Sequence, residues 1–158
     1  MRDLSISRLC AINTATLGFQ APIGEVIDAV ARAGFGAIAP WRREVEGQDV
    51  AMVSRQIRDA GLAVTGYCRS TYIPALTRNE FENNVESNRR AIADAGVLGA
   101  HSFVMVVGGL PTGSKDIAAA RLQVQEAAGL LVEHGKQHGV RISLEPLHPV
   151  YAADRSCL

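Results

Sequence analysis

The sequence predicts an α/β fold of parallel strands joined by helices. Three observations carry that expectation. A helix-to-strand junction recurs four times, the intervening helices keep their apolar residues on one face, and the strands are short and strongly apolar. The junctions are Ala33-Gly34-Phe35, Ala60-Gly61-Leu62, Ala95-Gly96-Val97 and His138-Gly139-Val140. A helix end turns left-handed, where a Cβ would clash, so glycine is favoured there. At 158 residues the chain has the length of one domain, and its 47% apolar and 20% charged residues exclude wholesale disorder.

The elements follow in order. Strands are expected at Leu9–Asn13, Ala37–Pro40, Ala63–Tyr67, Ser102–Val107 and Arg141–Leu147. Phe103 to Val107 is apolar at every position, as a strand covered on both faces requires. Between them, Ile23, Val26, Ile27 and Val30 form the stripe of a first helix. Val50, Val53 and Ile57 support a second over Asp49 to Ala60. Phe81, Val85 and Ile92 mark a third, with Asn88 interrupting its apolar face. Ile117, Ala120, Val124, Ala127, Ala128 and Leu131 mark a fourth. Asp49 and Ser114 suit N-caps. Strands separated by helices run parallel. An open doubly wound sheet and part of a (βα)8 barrel both fit this order.

Composition excludes several functions. Sixteen basic residues balance sixteen acidic ones, which argues against a nucleic-acid binder with a strongly basic surface and against polybasic attachment to membranes. No apolar run approaches the roughly 18 residues that span a bilayer. The start, Met1 to Ser5, reads as no secretory signal. Cys10, Cys68 and Cys157 form no paired framework and point to a reducing compartment, the cytoplasm.

Both architectures bind ligands at the carboxyl ends of their strands. Those ends offer Asn13-Thr14, Trp41-Arg42-Arg43, Tyr67-Cys68-Arg69, Gly108-Gly109 and Glu145-Pro146-Leu147-His148-Pro149. Gly108 to Lys115 occupies the place of a phosphate-binding loop. Its Lys falls one residue late, however, which turns it about 100° away on a helix. A loop leading into a capped helix is the simpler reading. In the last strand, Ile142 and Leu144 alternate with Ser143 and Glu145, and Pro146 ends the ladder. This sets the Glu145 carboxylate at a strand tip, where it would be paired with an Arg or used for chemistry. His134 and His138, at i and i+4 near a helix end, can form a metal pair but more often meet solvent and the helix dipole. Trp41 suits either a pocket wall or the core.

Several of these stretches resemble the sugar phosphate isomerase/epimerase family, a xylose-isomerase-like TIM-barrel group. They are Val106-Val107-Gly108-Gly109-Leu110-Pro111, Leu144-Glu145-Pro146-Leu147-His148-Pro149, Tyr151-Ala152-Ala153-Asp154-Arg155-Ser156 and Ala39-Pro40-Trp41-Arg42. The resemblance implies a partial (βα)8 barrel of about five parallel strands and four helices. It implies that residues 1–158 are the N-terminal portion of one barrel domain, truncated after strand five. It also implies one divalent metal (Mn, Mg, Co or Zn) with Glu145 as a ligand and catalytic base, the other ligands lying outside this chain. Trp41, Arg42, His148, Tyr151 and Arg155 become substrate contacts. The implied chemistry is proton removal next to the carbonyl of a sugar or polyol, with the chain inactive alone. A dehydratase of keto-inositol or dehydroshikimate type shares that first step. An apurinic-endonuclease relative is disfavoured by the zero net charge. A non-catalytic half-barrel that self-associates or joins a complementary C-terminal half is the remaining alternative, because open sheet edges invite pairing.

Overall fold

The computed structural model describes residues 7–151 and 154–158. The Met1 to Ser5 start and the Ala152-Ala153 pair lie outside the described residues. Six strands fall into two three-stranded sheets, in the orders β1-β2-β3 and β4-β5-β6. They are β1 (Ala11–Asn13), β2 (Ala37–Ala39), β3 (Ala63–Val64), β4 (Tyr67–Cys68), β5 (Ser102–Met105) and β6 (Arg141–Leu144). The helices are α1 (Ile23–Arg32), α2 (Arg42–Val45), α3 (Val50–Asp59), α4 (Arg78–Leu98) and α5 (Ile117–Gln137). The chain forms two units, one comprising the residues up to Cys68 with Asp94–Ser102, the other Arg69–Ala93 with Phe103–Leu158.

In the first unit β1, β2 and β3 are parallel, with Ala11 opposite Ala37 and Ile38 opposite Val64. Ile23, Val26, Ile27 and Val30 are all buried, as the stripe on α1 requires. Asp49 caps α3, its Oδ1 accepting from the amides of Ala51 (2.9 Å) and Met52 (3.1 Å). The expected strand Ala63–Tyr67 is instead two short strands. The break falls at Thr65-Gly66, where glycine weakens the ladder. After it, Cys68 resumes pairing through the carbonyl of Pro40 at 3.2 Å.

Three of the four helix ends are as expected. At Gly34 (φ 79°), Gly34 N donates to Ala31 O at 2.9 Å and Phe35 N to Val30 O at 3.3 Å, a left-handed cap that satisfies two free carbonyls. The same geometry ends α3 at Gly61 and α5 at Gly139. The third end moves: α4 runs through Gly96 and stops at Gly99 (φ 70°). Continuing the helix buries Leu98, and Ala100 N then closes on Ala95 O at 2.9 Å.

In the second unit Phe81, Val85, Phe103, Met105, Val124 and Leu131 are buried core. Asn88 is fully buried too, and it does more than interrupt a face. Its amide accepts from Thr71 N (2.9 Å) and donates to Thr71 O (3.0 Å), fixing the segment after β4. β5 ends two residues before the expected Val107, because the backbones beyond it are claimed by other segments. Ser70 Oγ donates to Val106 O at 2.7 Å and Ile73 N to Val107 O at 2.8 Å. Asp116, not Ser114, caps α5, accepting from Ala119 N at 2.9 Å. Ser114 is held in the preceding turn by Pro111 O.

Candidate functional site

At the carboxyl end of β2, in the first unit, side chains hold one another. The Glu44 carboxylate accepts from Trp41 N at 3.0 Å and from the hydroxyl of the fully buried Thr14. Trp41 Nε1 donates to Asn13 Oδ1 at 2.7 Å, and the same oxygen accepts from Ala15 N at 3.0 Å. Phe19 meets the indole edge-on at 5.5 Å, and Arg43 lies 4.2 Å over the Phe19 ring. The half-buried Trp41 is therefore clamped from its backbone and its ring. Arg42 opens α2, a short helix unforeseen in the sequence, and pairs with Glu46 at 3.1 Å. Its charge also acts on Asp94 and Tyr67. Burial pushes the Tyr67 phenol well above its ordinary range, Asp94 adds to this, and Arg42 opposes it. Burial likewise raises the Asp94 carboxyl, against the pull of Arg42.

In the second unit, Glu145 follows directly on β6, and its amide donates to Met105 O at 2.9 Å. Counting β3 and β4 as one interrupted strand, Glu145 ends the fifth strand; counted separately, the sixth. The side chain is exposed, and its carboxylate has no hydrogen bond or ion pair among the described residues, so the expected alternative of an arginine partner is not what the structure contains. Leu144 is 44% exposed on β6, the edge strand of its sheet. His148 is exposed and Nδ1 accepts from Val150 N at 3.2 Å. Tyr151 N donates to His148 O at 2.8 Å, and the Arg155 guanidinium stacks 4.8 Å over the Tyr151 ring. The structure thus brings His148, Tyr151 and Arg155 together in one turn. Gly108, at φ 97°, accepts the end of this turn as a short parallel bridge to Ser156.

Glu44 and Asn13 were not singled out as positioning groups by the sequence. Glu44 sits three residues after Trp41, the spacing at which an acidic side chain reaches back to cap a helix start. His134 and His138 have ring centroids 4.6 Å apart, and His134 Nε2 lies 3.2 Å from Arg89 O. Among the described residues no three His, Cys, Asp or Glu side chains converge. One exposed carboxylate is not a chelating set for a divalent ion, so the described residues do not by themselves make a metal centre.

The chain belongs to the xylose isomerase-like TIM barrel family, whose sequence profile matches residues 27–156. The alternating parallel strands and helices are part of such a barrel. A solved structure of protein SMc04130 from Sinorhizobium meliloti 1021 is 42% identical, with a TM-score of 0.90, over 96% of this chain and 55% of its own. D-psicose 3-epimerase from Clostridium cellulolyticum H10, solved with D-tagatose, is 15% identical, with a TM-score of 0.76, over 87% of this chain and 52% of its own. The IOLI protein, solved with a binding zinc atom, is 12% identical, with a TM-score of 0.72, over 85% of this chain and 50% of its own. The last two share the fold alone. The chain thus spans about half the length of these solved structures. A comparison with curated proteins gives no match. No helix among the described residues is long and apolar enough to cross a membrane.

Proposed function

We propose that this chain is the N-terminal part of a sugar or polyol isomerase or epimerase, in which Glu145 moves the proton next to a substrate carbonyl. The observation that carries this reading is the Glu145 carboxylate, exposed at a strand tip without a partner among the described residues. A carboxylate engaged in holding the fold would have a cation or an amide beside it. Glu145 would take the proton from the carbon beside the carbonyl, and a second carboxyl group, outside this chain, would donate its own proton to the opposite face of that carbon in an epimerase or to the neighbouring carbon in an isomerase. Substrate contact is assigned to Trp41 and Arg42 in the first unit and to His148, Tyr151 and Arg155 in the second.

Glu145 is also assigned as one ligand of a divalent cation (Mn, Mg, Co or Zn), with the remaining ligands outside the chain. The zinc atom of the IOLI structure supports that assignment. Three free cysteines suit the cytoplasm. A second reading, association with a complementary half or another copy, is favoured by Leu144 and Val150, 44% and 71% exposed on and just after the edge strand β6. Sedimentation of the purified chain tests it, since a dispersed monomer at high concentration speaks against self-association.

The principal test is deuterium wash-in from D2O. A chimera continues this chain with the part of the Sinorhizobium protein that it does not cover. The chimera should place deuterium beside the carbonyl of a ketose or keto-inositol, whereas the 158-residue chain alone should not. A folded chimera inert to the whole substrate panel overturns the reading. Loss of water to an unsaturated product in place of an epimer would make it a dehydratase.

A further inference from the structure

We propose that the loop following β5 builds a subsite for the hydroxyl groups of a neutral, unphosphorylated sugar or polyol. This inference rests on the sugar reading above and narrows it. In the second unit a cavity of about 540 Å³ is lined by Tyr72, Pro74, Leu110, Thr112, Ser114 and Asp154. The lining has the two chemistries a sugar ring presents. Tyr72, Pro74 and Leu110 supply an apolar surface for its C–H face. Thr112 and Ser114 supply hydroxyls, and the Asp154 carboxylate, an acceptor with two oxygens, can take two adjacent hydroxyls.

The backbone around Gly108 fixes this arrangement. Gly108 has φ 97°, and a Cβ there would lie 2.6 Å from Cβ of Tyr72. The absence of a side chain therefore lets Tyr72 pack on the loop. Gly108 N also donates to Arg155 O at 3.0 Å, and Cys157 N to Gly108 O at 2.9 Å. One glycine thus gathers the Tyr72 segment and the turn that carries Asp154.

Charge decides between a neutral sugar and a sugar phosphate. The residues lining the cavity include one carboxylate and no Lys or Arg. The start of α5, where a phosphate would otherwise be drawn, already holds the Asp116 carboxylate on Ala119 N. Arg155, 3.7 Å from Asp154, is stacked on Tyr151 and does not line the cavity. Of the residues that line the cavity, Asp154 is the one charged group, so a phosphate dianion there would face a carboxylate and no lining cation. The Gly-Gly-Leu-Pro-Thr-Gly-Ser-Lys stretch, which looks like a displaced phosphate loop, is thereby given a different ligand.

The test is an amide NMR titration of the full 158-residue chain with D-fructose, myo-inositol and D-fructose 6-phosphate. D-fructose or myo-inositol should shift the amides of Gly109, Thr112 and Gly113. Asp154→Asn should weaken that binding about tenfold, the loss of a charged acceptor, with the rest of the spectrum unchanged. Thr112→Val should weaken it less. D-fructose 6-phosphate should bind more weakly than D-fructose. Tighter binding of the phosphate, or a titration indifferent to Asp154→Asn, overturns the subsite while leaving the sugar reading standing. No shift with any of the three ligands likewise overturns the subsite, and the sugar reading is then decided by wash-in with the chimera.

Discussion

The tips of β2 and β6 belong to one class of position but are built in opposite ways. At β2, Trp41 is held by Asn13 and Glu44, and Thr14 is buried beneath them. At β6, Glu145 is held only through its backbone, while its carboxylate and the imidazole of His148 are exposed. Rigidity in the second region comes from main chain: Gly108 to Ser156, Ile73 to Val107, Glu145 to Met105. A side chain that fixes its neighbours has used its hydrogen-bonding capacity, whereas one on a fixed backbone keeps it for a ligand. The first tip is therefore a positioning element, and the second leaves its carboxylate available to a ligand.

That contrast can be broken by substitution. The largest effect on stability is expected at Gly108→Ala, where a methyl would lie 2.6 Å from Tyr72 Cβ at a φ of 97°. Overpacking and left-handed strain together should cost about 3 kcal/mol, read as a lower urea midpoint. Glu44→Ala comes next. It strands the Trp41 amide and leaves the Thr14 hydroxyl with only a long bond to Ala39 O at 3.4 Å, for about 2 kcal/mol. Because Trp41 is the only tryptophan, its emission should shift as the ring loosens, and an unchanged spectrum would remove the clamp from the account.

Asp94→Asn sharpens the picture of the first unit with a smaller effect of opposite sign. Burial raises the folded-state pKa of Asp94, so the folded state binds its proton more tightly than the unfolded chain does. The charged form thus costs stability, and this cost appears as pH rises from the ordinary carboxylate value through the raised one. Asp94→Asn should then melt slightly higher at pH 7 and lose that advantage in acid. A gain that persists at low pH would contradict the assignment. The smallest change in stability is expected at Glu145→Gln, within about 0.5 kcal/mol, because its carboxylate holds nothing in place.

The alternation of strands and helices was legible because glycine at a helix end and apolar periodicity are local signals. Gly34, Gly61 and Gly139 obey them. Gly96 did not, since α4 gains by continuing until Leu98 is buried, and that gain depends on a packing partner distant in sequence. The same reason hid Asn88, whose polar side chain on an apolar face made sense only once Thr71 was opposite. Ser114 and Asp116 both suit an N-cap, and the turn to Pro111 decided between them. Of the site, the place of Glu145 at a strand end was readable from alternation and Pro146. The clamp on Trp41 was not, because Asn13 is 28 residues away from it.

Glu145 is the residue on which the functional account turns, and its own variant tests it most directly. In the chimera that completes the barrel, deuterium wash-in beside the substrate carbonyl should fall about a hundredfold or more in Glu145→Gln, with the melting curve unchanged. Wash-in that stays within about twofold of the parent would contradict the account, because it would mean that another group moves the proton.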